Sequence, residues 1–168
     1  GIAQIRERLF IAAVEQGINF NWPEALGKEV ALAHAIEDLP PATHETTNPT
    51  KYEPSDSPSN LLEWLRKDVQ PVAESEVYDH TARRVRGDDL WIYEHMPQGG
   101  IYKNVPWLEG DDTRRRYGKG DDVNFTDRYN RLSWGKPCRS ITAHIAKDGY
   151  WYIHPDQDRT LTIREAAR

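Results

Sequence analysis

The sequence contains one cysteine, Cys138, in 168 residues. A single thiol excludes an internal disulfide framework and a zinc site made of several cysteines, and it favours a reducing compartment. The sequence also lacks an apolar run long enough to cross a bilayer and a segment with the pattern of a signal peptide. These absences predict a cytoplasmic protein with no membrane partner.

Apolar residues are fewer than in a typical globular domain, at 38% of the chain against 29% charged residues. The length fits one domain, and six tryptophans supply material for a core. The shortfall is typical of a piece that packs against a partner domain, or of a domain with a long loose segment. Residues 42–58, rich in proline, serine and threonine, are the predicted loose loop.

Complete catalytic motifs are missing as well. The six histidines show neither H-x-x-x-H nor H-E-x-x-H spacing, and the acidic pairs are more simply loop carboxylates than metal ligands. There is no Gly-rich phosphate loop and no G-x-S-x-G elbow. The charge of Arg139 favours a lowered pKa of the Cys138 thiol, but no histidine partner or helix start marks this cysteine as a nucleophile. The residues alone predict no metal site and no catalytic group.

The chain does have an uneven charge distribution within its net charge of −5. Residues 1–76 carry 13 acidic and 6 basic side chains, whereas residues 113–139 carry 8 basic and 3 acidic ones. Screening limits the influence of each charge to about 10 Å, so the local balance decides what a surface attracts. Aromatic residues are interleaved with the basic ones, as in surfaces that follow a phosphate backbone. A solvated, loop-rich surface explains the pattern equally well, and both interpretations stay open at this point.

Apolar spacing predicts the strands and helices. Residues 9–14 form a short apolar run, predicted as a buried strand, and residues 140–146 and 150–154 are predicted as a hairpin. Residues 29–39 show helical spacing that ends at a Pro-Pro pair. Ser59 and Asp88 are predicted N-caps of two further helices. Thr162 and Glu165 have the spacing of a capping box, so a helix is predicted to begin at the end of the chain.

Gln4, Arg6 and Arg8 alternate along the predicted N-terminal strand, which points all three side chains to one side. Their donors suit a phosphate or the edge of a base. An ordinary exposed entry to a strand explains the three residues nearly as well.

The two ends of the chain together resemble one known family. "QIRERLFIAAV" resembles the Q-x-R-x-R motif and following strand of the DNA (cytosine-5) methyltransferases, and "HPDQDRTLTIREAAR" resembles the late R-x-L-T-x-R-E-A-A-R motif of that family. In the family, the variable target-recognition region lies between these motifs. "AIEDLPP" and "YNRLSWGKPCRSITAH" are similar to phrases of bacterial members, so the resemblance spans the whole chain.

The resemblance implies a reaction. Enzymes of this family flip a cytosine out of the duplex, attack its ring with the cysteine of a Pro-Cys motif and take the methyl group from S-adenosylmethionine. The resemblance places the nucleophile, the cofactor motif and the Glu-Asn-Val motif before residue 1, and a final Gly-Asn-containing motif after Arg168. Cys138 follows a proline but stands in the recognition region, so it is not taken as the nucleophile. S-adenosylmethionine is expected to serve the parent enzyme and not to bind this fragment.

Residue roles follow from the matched motifs. Gln4, Arg6 and Arg8 match the positions that help to hold the flipped cytosine and its phosphate, although Ala3 replaces the usual proline. Ser140 and Ile141 match a Thr-Leu/Ile pair that lies against the DNA. The expected DNA-recognition set is Arg114, Arg115, Arg116, Arg128, Arg131, Arg139, Ser140, Ile141 and Thr142. The late motif, whose role is to organise the recognition domain, is matched by Arg159, Leu161, Thr162, Arg164, Glu165 and Arg168.

The expected fold is α+β, with a small twisted, mostly antiparallel sheet, short helices and long loops. Residues 1–16 are assigned to the end of the catalytic region, 17–158 to the target-recognition domain and 159–168 to the start of the late helix. The resemblance implies the target-recognition portion of a bacterial methyltransferase, inactive by itself, with double-stranded DNA and a missing N-terminal catalytic region as partners. The alternatives are a DNA-binding subunit of a split methyltransferase, a metal-dependent nuclease and a non-catalytic interaction domain.

Overall fold

The computed structural model describes residues 2–25, 27, 29–67, 75–106, 129–142, 145 and 149–168. Short helices and very short strands alternate along these ranges, so the predicted α+β class is confirmed. The helices are α1 (Ala33–Ile36), α2 (Asn60–Arg66), α3 (Gly87–Glu94) and α4 (Ile163–Ala167), with 3₁₀ helices at Tyr102–Asn104 and Gly149–Trp151. The strands are β1 (Gln4–Ile5), β2 (Thr50–Lys51), β3 (Glu76–Val77) and β4 (Cys138–Arg139).

The strands form two separate pairs in the described part of the chain. β1 pairs with β4 in parallel, and β2 pairs with β3 in antiparallel. The expected single, mostly antiparallel sheet is therefore wrong. Each strand has only two residues.

The apolar run after β1 is not a buried strand, contrary to the prediction. The pairing with β4 ends at Ile5, and the chain continues as an extended segment whose side chains face solvent. Leu9 is 87% exposed and Ile11 is 86% exposed. A short apolar run predicts burial only where the fold provides a surface to cover it, and this fold provides none along residues 9–14.

The capping signals correctly predicted the N-cap residues of two helices, whereas the residue predicted to cap a third helix lies in its first turn. Ser59 is the N-cap of α2, and its hydroxyl accepts a hydrogen bond of 3.1 Å from the amide of Leu62. Helix α3 begins at Gly87 with Arg86 as N-cap, so Asp88 lies in the first turn instead of capping it. There its carboxylate accepts two hydrogen bonds from Arg86, at 3.0 and 3.1 Å. Helix α1 occupies only four of the eleven residues predicted as helical.

The strand predicted for residues 150–154 is wrong. This segment begins within the 3₁₀ helix Gly149–Trp151, and Ile153 makes single bridges to Arg131 and to Thr160. Residues 143, 144 and 146–148, in the first strand and turn of the predicted hairpin, lie outside the described residues. Tyr152, the residue before Ile153, has no exposed surface. Its hydroxyl donates to the carbonyl of Ser140 and accepts from the amide of Thr142, both at 2.9 Å. Side-chain bonds from a buried tyrosine thus replace the expected ladder.

Two apolar clusters hold the elements together. The first joins both ends of the chain to α1 and α2, and its buried members are Ala3, Leu32, Ala35, Ile36, Leu61, Leu132, Cys138, Tyr152 and Leu161. The second is rich in tyrosine and consists of Ile92, Tyr93, Met96, Tyr102, Val105, Tyr129 and Ile153. Residues 42–58, the predicted loose loop, contain β2 and bury Ala42 and Tyr52. No helix in the described ranges has the length and apolar composition needed to cross a bilayer.

Candidate nucleic-acid interface

The pairing of β1 with β4 brings two distant sequence motifs side by side. Gln4 is level with Cys138, Ile5 is level with Arg139, and the Cys138 amide donates to the Ala3 carbonyl at 2.7 Å. Parallel strands run in the same direction, so the chains that leave them also leave from the same end. The Q-x-R-x-R motif therefore exits beside Ser140, although the two motifs lie at opposite ends of the sequence.

Arg6 and Arg8 are exposed at this exit. The strand ends at Ile5, so the alternation that was expected to point both guanidinium groups to one side does not extend to them. The Arg8 guanidinium donates to the carbonyl of its neighbour Glu7 at 2.9 Å. The structure thus places two arginines on a solvent-facing segment at the end of β1 without fixing them in the core.

Arg139 and the following residues lie against aromatic rings. The Arg139 guanidinium carbon is 4.9 Å from the centre of the Trp151 ring, within the range of a cation–π contact. Ile141 packs against the first apolar cluster, so its side chain contributes to the core as well as to this region. The backbone of residues 140–142 is held by the hydroxyl of Tyr152.

Two polar atoms in this region are buried without a hydrogen-bond partner. They are the hydroxyl of Ser140 and the indole nitrogen of Trp151. Buried polar atoms nearly always have a hydrogen-bond partner. These two atoms therefore mark a place beside Arg139 where the chain leaves polar groups without hydrogen bonds.

Arg131 belongs to the interior and not to the surface where the sequence led us to expect it. It is 4% exposed. Its guanidinium donates to the carbonyls of His154, Pro155, Gln157 and Tyr93 and to the carboxylate of Asp158, at 2.5 to 3.3 Å. These bonds organise the loop before the late motif. The local charge pattern does not distinguish this arginine from its neighbours, because the carbonyls that it binds belong to distant residues.

The expected recognition residues Arg114, Arg115, Arg116 and Arg128 lie outside the described residues. The described chain on each side of that stretch is anchored in the tyrosine-rich cluster. The Tyr102 amide donates to the Tyr129 carbonyl at 3.2 Å, and the two rings stack with their centres 5.4 Å apart. The Tyr129 hydroxyl donates to Asp89 at 2.6 Å.

The late motif contains a capping box, as predicted, and a buried ion pair that the sequence did not predict. The Thr162 hydroxyl accepts from the Glu165 amide at 3.2 Å, and the Glu165 carboxylate accepts from the Thr162 amide at 2.8 Å. The Arg159 guanidinium also donates two bonds of 2.7 Å to the same carboxylate. Burial raises the pKa of Glu165, but the bonds and charge of Arg159 outweigh it and hold the pKa below its usual value.

Other residues of this motif connect it to distant parts of the chain. The Thr162 hydroxyl is 3.0 Å from a ring nitrogen of buried His80, whose other ring nitrogen is 2.7 Å from the Pro40 carbonyl. Arg164 donates to the Tyr78 carbonyl at 2.8 Å. Arg168 donates to the carboxylate of Asp38 at 2.6 Å. These contacts connect the late motif to residues 38–40 and 78–80.

His154 is buried next to the same ion pair. Its Nδ1 atom accepts from the amides of Asp156 and Gln157, both at 3.1 Å, so this nitrogen carries no proton. Burial, helped by the charges of Arg159 and Arg131, lowers the pKa of His154 to about 4, against the opposing charges of Glu165 and Asp156.

We predict that acid destabilises the protein through His154. An unfolded histidine binds its proton near pH 6.5 and the folded one near 4, so the free energy of unfolding falls as the pH drops between these values. The loss amounts to about 3 kcal/mol at completion. His154→Asn keeps an acceptor at the Nδ1 position, and we expect urea unfolding to show a flatter pH dependence over this window. His34→Asn, at an exposed site, is the control, and an unchanged slope in His154→Asn would contradict the assignment.

Cys138 is a buried thiol. Burial raises its pKa to about 12, although the charge of Arg139 acts in the opposite direction. A thiolate is the reactive form of cysteine, so burial disfavours the reactive form of Cys138.

The described residues contain no group of three or more histidine, cysteine, aspartate or glutamate side chains placed to hold a metal ion. A cleft of about 750 Å³ is lined by Ile2, Val30, His34, Ser59, Asn60, Leu61 and Trp64. Its lining has no carboxylate to pair with the positive charges of S-adenosylmethionine. The cleft does not fit that cofactor, and we assign the cofactor no residues in the described part of the chain.

Comparison with known proteins gives a consistent result. The family model of the C-5 cytosine-specific DNA methylases matches residues 1–168. The chain is 26% identical to the type II methyltransferase M.Bpa9945I of Bacillus paralicheniformis, and the match covers all of this chain and 40% of that protein. It is 28% identical to the type II methyltransferase M.Eco47II of Escherichia coli, over 99% of this chain and 33% of that protein. A match to the DNA (cytosine-5)-methyltransferase CMT1 of Oryza sativa subsp. japonica, at 25% identity, covers 85% of the chain.

The chain therefore belongs to the C-5 cytosine-specific DNA methylase family. It spans about a third to two fifths of the length of these two bacterial relatives. The enzymes of this family use S-adenosylmethionine and act on DNA.

Proposed function

We propose that this chain forms the DNA target-recognition portion of a DNA cytosine-5 methyltransferase. In this proposal the nucleophile and the cofactor site belong to a catalytic portion outside these 168 residues, which is the second partner besides double-stranded DNA. The observation that carries the proposal is the parallel pairing of β1 with β4, because it sets the Q-x-R-x-R segment beside Ser140 and Arg139. Two motifs that the family resemblance associates with the target base thereby share one surface.

The residues of this surface have separable roles in the proposal. Arg6 and Arg8 offer exposed guanidinium groups, which bind phosphate or the edge of a base through paired donors. Arg139, half-buried and held over Trp151, lies beside them. The Ser140 hydroxyl and the Trp151 indole nitrogen are orphan polar atoms at the same place, and a small rearrangement on binding would let DNA satisfy them.

The buried part of the chain keeps this surface in position. Arg131 and the Arg159–Glu165 pair fasten residues 153–168 to one another and to α3. Tyr152, between them, holds the backbone of residues 140–142. S-adenosylmethionine supplies the methyl group in this family, and the chain described here would contribute binding, orientation and choice of the target.

A methylation map at single-base resolution tests the proposed function. DNA from a host that expresses the enzyme containing this chain is compared with DNA from the same host without the gene. We expect methylcytosine confined to one short sequence motif. A well-expressed enzyme that leaves no methylcytosine would overturn the proposal.

We predict that Arg6→Gln lowers kcat/KM for methylation by roughly 10- to 150-fold, because a hydrogen bond from a charged group is worth about 1.5–3 kcal/mol. The arginine is exposed, so the midpoint of thermal unfolding should not change. Glu7→Gln, at the exposed neighbouring position, is the matched control and should retain activity. Activity of Arg6→Gln within twofold of the unmodified enzyme would remove Arg6 from the proposed surface.

A further inference from the structure

A second group of arginines lies outside the basic segment 113–139. Arg83, Arg84 and Arg86 occur within four residues of extended chain that leads into α3. All three are exposed, and they line a cleft of about 460 Å³ that also includes Tyr150 and Gly149. Arg83 and Arg84 line a neighbouring cleft of about 440 Å³ as well, so they form the ridge between the two.

The carboxylates that line the two clefts are hydrogen-bonded to residues outside the ridge. Asp89, in the first cleft, accepts from the Tyr129 hydroxyl at 2.6 Å. In the second cleft, Asp158 accepts from Arg131 at 2.5 Å and Asp156 accepts from the Trp134 indole at 2.6 Å. Arg84 makes no hydrogen bond or ion pair with the described residues. Within the described part of the chain, the guanidinium group of Arg84 is therefore available to a ligand.

The ridge lies next to the proposed DNA surface on the side of Arg139. Tyr150 lines its first cleft, and the next residue, Trp151, carries the guanidinium of Arg139 at 4.9 Å. The Tyr150 ring centre is also 5.5 Å from that of Tyr129 in the tyrosine-rich cluster, which holds this side of the cleft in place. A duplex that contacts Arg139 would therefore pass close to Arg83 and Arg84.

We propose that Arg83 and Arg84 bind phosphates of the DNA backbone next to the target site. This inference rests on the proposed function and adds two positioning residues to it. Phosphate contacts fix the register of a protein on the duplex and carry no sequence information, whereas sequence is read by contacts to the edges of the bases in the grooves. The two arginines therefore contribute affinity and salt dependence, and the choice of sequence stays with other residues.

The test uses the complete methyltransferase that contains this chain, with Arg83→Gln, Arg84→Gln and the double variant. The measured quantity is the slope of the logarithm of the binding constant against the logarithm of the salt concentration, on duplex DNA carrying the mapped target. Each lost phosphate contact is expected to reduce the magnitude of this slope by about 0.9, so the double variant should lose about 1.8. The mapped methylation motif should stay the same in every variant.

Two controls separate this role from a structural or base-reading one. Lys51→Gln removes the same charge from an exposed ion pair with Glu53 on β2, and its slope should equal that of the unmodified enzyme. Arg84→Lys keeps the charge without the planar fork, and it should preserve the slope, because a phosphate accepts either cation whereas bidentate base readout does not.

Three results would overturn the inference. An unchanged slope in the double variant, with the unmodified enzyme binding and methylating normally, would refute the phosphate contacts and leave the proposed function standing. A relaxed target motif in Arg84→Gln would instead show base readout. An unmodified enzyme that neither binds duplex DNA nor leaves methylcytosine would refute the proposed function, and the inference with it.

Discussion

Replacement of Arg131 by leucine should lower the free energy of unfolding by about 3–5 kcal/mol. The arginine is 4% exposed, and its guanidinium donates to four backbone carbonyls and to Asp158. Leucine would leave those carbonyls buried without donors, and each orphaned group costs about 1–3 kcal/mol before the structure relaxes. Urea unfolding of the purified protein measures the difference.

The same experiment distinguishes an internal arginine from one that contacts DNA. Lys136→Leu is the matched control, because it removes a positive charge from an exposed position five residues further along the chain. We expect this control to unfold within about 0.5 kcal/mol of the unmodified protein. A stable Arg131→Leu protein with altered DNA binding would show that the guanidinium acts at the DNA surface and that its internal contacts matter little.

Replacement of Arg159 by methionine should have a comparable effect through a different cause. Glu165 would remain buried as an unpaired carboxylate, and breaking a buried ion pair in this way costs about 3–5 kcal/mol. With Arg159 removed, burial dominates and the pKa of Glu165 rises. The variant should therefore recover part of its stability as the pH falls, opposite to the acid loss expected from His154.

A double-mutant cycle provides the control for this pair. Arg159→Met combined with Glu165→Met removes both charges, and we expect it to be more stable than Arg159→Met alone, although the lost capping interaction still costs about 1 kcal/mol. Arg164→Gln, in the same motif but partly exposed, should change stability little. Losses that simply add in the double variant would show that Arg159 and Glu165 do not interact energetically.

The features that the sequence predicted correctly depend on neighbouring residues. The Thr162–Glu165 capping box and the Ser59 cap each join positions three residues apart, so their geometry follows from helix formation alone. The second partner of Glu165, Arg159, is six residues away across a turn, and no helical or strand period indicates it. The sequence around Arg131 does not indicate whether its side chain faces solvent or the core, so the burial of this arginine could not be predicted.

Features that depend on distant contacts were missed or misplaced. The alternation of residues 140–154 favours a hairpin, but the burial of Tyr152 and its bonds to residues 140 and 142 impose a different path. The candidate site was predicted motif by motif, because each motif is a local string of residues. The meeting of Gln4 with Cys138, which places those motifs together, requires a pairing between opposite ends of the chain.

The pairing of β1 with β4 also affects how the chain folds during its synthesis. β1 and β4 are separated by about 130 residues, so at a synthesis rate of about 5–20 residues per second the first strand waits roughly 7–27 s for its partner. Leu9 and Ile11, which are exposed even after folding, follow the waiting strand and are open to unwanted association throughout that interval. We therefore expect slow translation or a shortage of chaperones to affect the segment that follows β1.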